Sequence, residues 1–356
     1  MGLPCGVFNS RPEEDMAILR TKTQYLLVAI GFAFFFTMAL YLPLDWLAWL
    51  IMLGMYAIAV LGIHILTGLC GQFSMGHAAF MLVGAYTAAT LGGNVGVSPW
   101  LTLPLAGVTA GIAGLAFGVP ALRIKGFYLV MSTIAAQFVI QWVAREADWT
   151  WLPDWMKTGG VYGIDVPKLV LGGKAVGDVG FWWITMGILV VMLVVAKNIQ
   201  RTATGRKFIA IRDNDLAAEV MGINLFRTKL LAFFIGCFFA GIAGWVWAHY
   251  MGHITPDQFG FDKSLIFLGM IIVGGMGSTA GAVMGTVIIR ICEKLIDYIS
   301  ASLGSAFPDI SVQIFPALSL IIFALVVMIF IMFEPRGAYH RWVRIRTYYR
   351  LHPFSY

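Results

Sequence analysis

Ten apolar runs, most of them close to the length that carries a helix across a bilayer, follow one another along this chain and leave few folds open to it. They occupy residues 25–44, 46–66, 77–93, 100–120, 126–144, 181–197, 229–250, 263–275, 280–299 and 313–333. A helix needs about 20 apolar residues to cross the hydrocarbon core. The expected fold is therefore all-α, a polytopic helical membrane protein with about ten spans (range eight to ten). Composition agrees, with 60% of residues hydrophobic and only 12% charged, where a soluble domain carries about a quarter charged. The run at 25–44 is too long for a secretory leader, and no small-residue cleavage site follows it, so it reads as an uncleaved first span. The run at 263–275 is short and ends in Gly274-Gly275-Met276-Gly277, which predicts a broken or re-entrant helix.

The net charge of +6 does not mark a nucleic-acid surface, because the basic residues gather in short loops beside apolar runs. Placing 1–24, 67–76, 121–125, 198–228 and 334–356 on one side, with the flanking Lys197 and Lys229, puts 17 of the 24 Lys and Arg there. The other side keeps Arg145, Lys157, Lys168, Lys174, Lys263, Arg290 and Lys294. The positive-inside rule then expects an even number of spans and both ends in the cytoplasm. The expected organisation is a cytoplasmic segment 1–24, a transmembrane domain 25–337 and a basic cytoplasmic tail 338–356. Within it fall a periplasmic loop at 145–180 and a cytoplasmic loop at 198–228. Cys5, Cys70, Cys237 and Cys292 are scattered without metal-ligand spacing and read as packing residues.

Two segments interrupt apolar runs with glycines and small polar residues, GLCGQFSMG at 68–76 and GGMGSTAGAVMG at 274–285. Irregular backbone at membrane depth is tolerated only inside protein or along a watery cavity, and paired interruptions point to a substrate path. Tight packing through small residues is the competing explanation. The path candidates are Gly71, Ser74, Gly76, His77, Gly274, Gly275, Gly277 and Ser278. The outer loop is rich in aromatics, with Trp149, Trp151, Trp155 and Tyr162 around Thr158-Gly159-Gly160. An interfacial belt explains much of this. As a docking surface for an external solute-binding protein its candidates are Trp151, Trp155, Thr158, Gly159 and Gly160.

Residues 205–224, GRKFIAIRDNDLAAEVMGIN, are the longest polar interval assigned to the cytoplasmic side. Ile209, Ile211, Leu216, Ala217, Val220 and Met221 suit a short helix. Asn214 or Asp215 can cap it, and Gly222 can end it with positive φ. Its apolar face needs a cover, which either a partner protein or the lipid interface supplies.

Other function classes find less support. No G-x-x-x-x-G-K-[ST] cradle occurs, so energy from ATP would have to come from other subunits. An ion-coupled transporter or channel usually keeps carboxylates within its spans, and few occur here. Glu293 and Asp297 are spaced to pair with Arg290 and Lys294. A membrane enzyme is the third class. His64 and His77 fall on different elements, and His249 with His253 at i,i+4 near Asp257 is better read as rings bonding carbonyls than as a metal site.

The 205–224 interval resembles the coupling loop of ABC importer permeases, and more narrowly the LivM-type branched-chain amino acid permease family. Further matching segments follow in order: GQFSMGHAAFMLVGAY at 71–86, LRIKGFYLVMSTIAAQFVI at 122–140, TGG at 158–160, and AIRDNDLAAEVMGINLFRTKLLAFFIGCFFAGIAG at 210–244. ITPDQFGFDKSLIFLGMIIVGGMGS at 254–278 and FEPRG at 333–337 complete the series. The resemblance covers roughly 45–337. It implies a non-enzymatic transport subunit without a cofactor of its own. The implied partners are two cytoplasmic ATPases that bind the ATP, a second LivH-type permease and a periplasmic solute-binding protein. It further implies ATPase contact through Arg212, Asn214, Asp215, Ala217, Ala218, Glu219, Gly222 and Asn224, and it adds Tyr128 and Gln137 to the path candidates. Phe127, Tyr128, Met131 and Phe138 would suit an apolar cargo. The implied substrates are leucine, isoleucine and valine, with urea or short amides as the near alternative. The Trp-dense outer loop, the charged 290–297 stretch and the long basic tail depart from the family pattern.

Overall fold

The computed structural model describes residues 36–121, 127–146, 157, 159–171, 174–306, 308–334 and 336–351, together with Leu26 and Gly31. In chain order the helices are α1 (Leu44–Ile63), α2 (His77–Ala89), α3 (Pro99–Ala121) and α4 (Phe127–Glu146). After the outer loop come α5 (Asp178–Arg201), α6 (Ala203–Asp213), α7 (Asp215–Val220) and α8 (Leu225–Met251). The chain closes with α9 (Phe261–Gly274), α10 (Thr279–Ala306), α11 (Pro308–Phe333) and α12 (Ala338–Leu351). The protein is an all-α polytopic membrane protein.

α1 and α8 form the axis. α1 runs on through a π-helical turn at His64–Leu69, making one apolar stretch of 26 residues. Its side chains are buried on nearly every side from Leu53 onward. A helix that is apolar all round belongs inside a bundle. α8, of 27 residues, is about 40 Å long and packs against α1, α2 and α3. Glycine lets these backbones meet. A Cβ on Gly84 would run into the backbone of Gly241, and one on Gly244 would come within 2.8 Å of the Ala85 amide nitrogen. In lipid there is no hydrophobic drive between helices, so such close van der Waals approach carries much of the association. Cys237 fills the space beside Gly114, and Cys70 is buried too, as packing residues.

Among the described residues four helices are long and apolar enough to cross a membrane: Leu44–Leu69, Pro99–Pro120, Asp178–Arg201 and Leu225–Met251. Two bent helix pairs bring the number to six if each counts as one span. The run at 77–93 becomes the 13-residue α2 and a π-helical turn at Thr90–Asn94; α2 alone is about 20 Å long, short of a full crossing. Of the run at 25–44, residues 25, 27–30 and 32–35 lie outside the described residues. The expected break after residue 274 is present, and Pro256–Gly274 turns by 117° into Thr279–Tyr298.

Arg290 would be costly facing lipid, and α10 turns it inward. Its guanidinium pairs with Glu293 and lies 4.9 Å from the centre of the Tyr56 ring. Lys294 takes no carboxylate partner among the described residues; its ammonium sits 3.9 Å from the Trp46 ring centre. The expected i,i+3 pairing thus holds for Arg290, while Lys294 stacks on aromatic surface.

Candidate functional site

The site is built where two helices break. α1 and its π-helical turn end at Gly71, whose φ of +71° closes the turn, with the Gly71 and Gln72 amides donating back to the Thr67 and Leu66 carbonyls. That termination suits a glycine, which adopts the left-handed region without a steric penalty. The chain then crosses Ser74 and Gly76 to start α2 at His77. Ser74 and His77 are fully buried, and His77 Nε2 donates to the Ala59 carbonyl at 3.0 Å. The second break runs from Gly274, buried against Gly281 and Gly285, through Gly275 at φ +106°. Gly277 has open space where a side chain would be. Ser278 Oγ accepts from the Gly281 amide at 2.9 Å and so caps α10.

The two breaks, 200 residues apart in sequence, touch. His64 Nδ1 donates to the Met276 carbonyl at 3.2 Å, and a side chain on Gly68 would collide with that same carbonyl. Gly337, also at positive φ, lies against Gly275 from the far side.

α2 starts at Gly76, which has no side chain to cap it, so its first amides are satisfied by other helices. Thr133 Oγ1 on α4 accepts from the Met75 amide at 3.1 Å. Ser264 Oγ on α9 accepts from the Ala78 amide, and Gln137 Oε1 on α4 from the Ala79 amide, both at 2.9 Å. Gln137 also receives the Ser264 hydroxyl at 2.9 Å and donates to the Phe259 carbonyl at 2.7 Å. One buried amide therefore ties α2, α4 and α9 together. Thr133 and Ser264 were missed from sequence; their signal was a small polar residue inside an apolar run. Tyr128 does not join this group. It is 66% exposed and forms, with Met131, Phe138 and Trp142, an outward stripe on α4. That orientation sets it apart from the buried break region. Phe127 has no described side chain.

The polar interval folds as two helices rather than one. Asn214, in extended conformation at φ −159°, separates α6 from α7 and accepts from the Ala217 amide at 3.1 Å. Gly222, at φ +83°, ends α7. Asn224 caps α8 through the Arg227 amide at 2.9 Å, and Asp215 pairs with Lys229 at 2.7 Å. Val220 and Met221 are 87% and 81% exposed and, with Leu216, Ala217 and Glu219, form an outer patch. Ala218 is buried instead, so the expectation that it offers contact surface is corrected: in a helix of under two turns one position must face the bundle. Arg212 keeps 36% of its side chain exposed while its guanidinium reaches back to the bundle. Its Nη1 donates to the Gly68 carbonyl at 3.0 Å, its Nε and Nη2 reach Asp213, and its stem packs on Gly71. The polar loop is thereby hydrogen-bonded to the first break.

At the opposite end of α8 the outer loop is stapled down. Two short strands, β1 (Ile164–Asp165) and β4 (His253–Ile254), pair antiparallel, and β2 (Val170–Leu171) pairs with β3 (Lys174–Ala175). His253 contacts the Asp165 carboxylate at 2.7 Å and the Tyr162 carbonyl at 3.0 Å. His249 Nδ1 donates to the Pro167 carbonyl at 3.1 Å, so both rings bond the loop, as the i,i+4 pair was read. Gly160 is buried under the turn and is corrected as a contact candidate, whereas Gly159 is partly open. Trp149, Trp151, Trp155 and Thr158 lie outside the described residues.

A bundle of apolar helices, two of them broken and in contact, defines a polytopic helical membrane protein. The chain belongs to the family described as branched-chain amino acid transport system / permease component, whose model matches residues 45–332. It is similar to the high-affinity branched-chain amino acid transport system permease proteins LivM of Salmonella typhimurium and Escherichia coli K12. Identity is 29% and 30% over 265 residues, which cover 67% of this chain and 61% of each relative. It is also similar to the LivH permease protein of Salmonella typhimurium, at 25% identity over 280 residues covering 72% of this chain and 85% of that one. The chain thus spans about three fifths of the length of the LivM relatives it matches. No solved structure matches.

Proposed function

We propose that this chain is the membrane-spanning permease subunit of an ATP-driven ABC importer that moves branched-chain amino acids across a bacterial inner membrane. The observation that carries the proposal is the direct bond from Arg212, one residue before the Asn214–Gly222 docking unit's flank at Asp213, to the Gly68 carbonyl in the first break. A push on α7 has a short, bonded route into the broken helices. In this reading two separate ATPase subunits, which bind the ATP, seat on Leu216, Val220 and Met221. A second, LivH-type permease completes the transporter, and a periplasmic binding protein delivers cargo to the 145–180 side. Closure of the ATPases rocks α6 and α7, and the two breaks change together as rigid bodies. The LivM and LivH relatives support the substrate class and the pairing.

The test is co-expression with a LivH-type permease, the ATPases and the binding protein in proteoliposomes. Leucine uptake should require all components and ATP. Replacing both Val220 and Met221 by Asp should lower ATPase co-purification by about tenfold or more, because the centre of an interface carries most of its energy. Concentrative uptake by this chain alone on an ion gradient would overturn the proposal. Uptake of urea or a short amide in place of leucine would redirect the substrate assignment and leave the subunit class standing.

A further inference from the structure

α12 carries Arg341, Arg344, Arg346 and Arg350 and no acidic residue. Its first turn is half-buried against α9 and α10, and every residue from Arg341 to Tyr349 is exposed. At the helical repeat, Trp342, Ile345 and Tyr349 fall within one stripe about 60° wide. Trp342 and Tyr349 are 57% and 76% exposed. Arg341 and Arg346 stand on the two margins of that stripe, with Arg344 further round. Arg341 reaches back to Glu334 at 2.7 Å. Among the described residues neither Arg344 nor Arg346 has a carboxylate partner.

Position narrows the choice of cover. The apolar α11 ends at Phe333 and α12 begins at Ala338; with α11 as the span, the start of α12 falls where hydrocarbon gives way to headgroups. Aromatic residues flanked by arginines on one helix face suit that interface, with the rings at the acyl boundary and the guanidinium groups on phosphate. A protein partner at this end would meet α7, whose exposed patch carries Glu219 among apolar residues and no arginine of its own. We propose that α12, turned by 45° from the end of α11, runs obliquely into the headgroup layer and is held there by anionic phospholipid headgroups. Gly337 links the two, since it precedes α12 directly and lies against Gly275 of the second break. The seated helix therefore braces that break. The inference does not depend on the cargo or on the ATPase assignment.

The full chain in nanodiscs tests this through amide hydrogen exchange over 338–351. In discs containing phosphatidylglycerol the segment should exchange about tenfold or more slowly than in pure phosphatidylcholine, and added salt should remove the difference. Joint replacement of Arg341, Arg344 and Arg346 by Gln should abolish the lipid dependence, and replacement by Lys should keep it. Equal exchange in both lipids would overturn the proposal. So would protection that appears only when ATPase subunits are added, which would make α12 a protein-binding helix. Should the Gln variant fail to insert, the comparison of the two lipids with the unaltered chain still decides.

Discussion

Arg212 and Gln137 show how single side chains hold irregular backbone inside a membrane bundle. The Gly68 carbonyl sits where the π-helical turn gives out, and the Arg212 guanidinium supplies its charge-assisted donor. Such a bond contributes about 1.5–3 kcal/mol when sheltered, and less here because Arg212 is partly exposed. Arg212→Ala should therefore leave insertion and ATPase binding intact while lowering ATP-driven uptake by about tenfold, measured as uptake per ATP hydrolysed. Equal loss of uptake and ATPase binding would show that Arg212 supports the fold of the loop rather than its link to the break. Gln137 satisfies three partners at once, so Gln137→Leu should orphan the Phe259 carbonyl and leave the Ala79 amide only its bond to the Gly76 carbonyl at 3.2 Å. The expected cost is about 1–3 kcal/mol, at the low end if neighbouring helices supply substitutes. Thermal unfolding in detergent, followed by exposure of the buried Cys70 and Cys237 thiols, reads it as a lowered midpoint. Both residues were named from sequence, Arg212 for docking and Gln137 for the path. Their bonds give each a different setting, because what an arginine or glutamine does depends on which distant carbonyl folds beside it.

At the scale of helices, the α2–α8 contact rests on glycines rather than on large apolar side chains. Gly84→Leu should separate the two backbones and remove the monodisperse protein in size-exclusion chromatography, since the nearest atoms are the backbone of Gly241 and cannot yield. Gly277→Ala is the contrast: nothing lies within 4 Å of the added carbon, so the profile should be unchanged. The apolar runs announced most of these helices. They did not announce that 77–93 would shorten to α2, because run length measures hydropathy and not where a buried helix is allowed to stop. Nor did they divide 205–224 into α6 and α7. The Asn214 cap and Gly222 turn were legible from residue type, but the extended Asn214 backbone that splits the interval was not.

Taken whole, the molecule joins its polar loop, its two breaks and the foot of α12 at one end of the bundle, with the strand-stapled outer loop at the other. In this conformation Ser74 and His77 have no exposed surface. If the breaks move as the proposed cycle requires, a cysteine placed at Ser74, in a chain whose own cysteines are replaced, should resist a hydrophilic maleimide at rest. It should react when ATPases, binding protein and ATP are present together. Labelling at the same rate in both states would argue against movement at this break. What the sequence alone determined is the helical membrane fold, the presence of two interruptions and the family, since apolar length, glycine and motif order are local properties of the chain. That the interruptions meet, that Arg212 bridges loop to break, and that Arg290 lies against the Tyr56 ring were decided only by tertiary structure. Each of those contacts depends on where helices far apart in sequence are packed, and in lipid that packing is set by close backbone approach and by polar groups that must find partners.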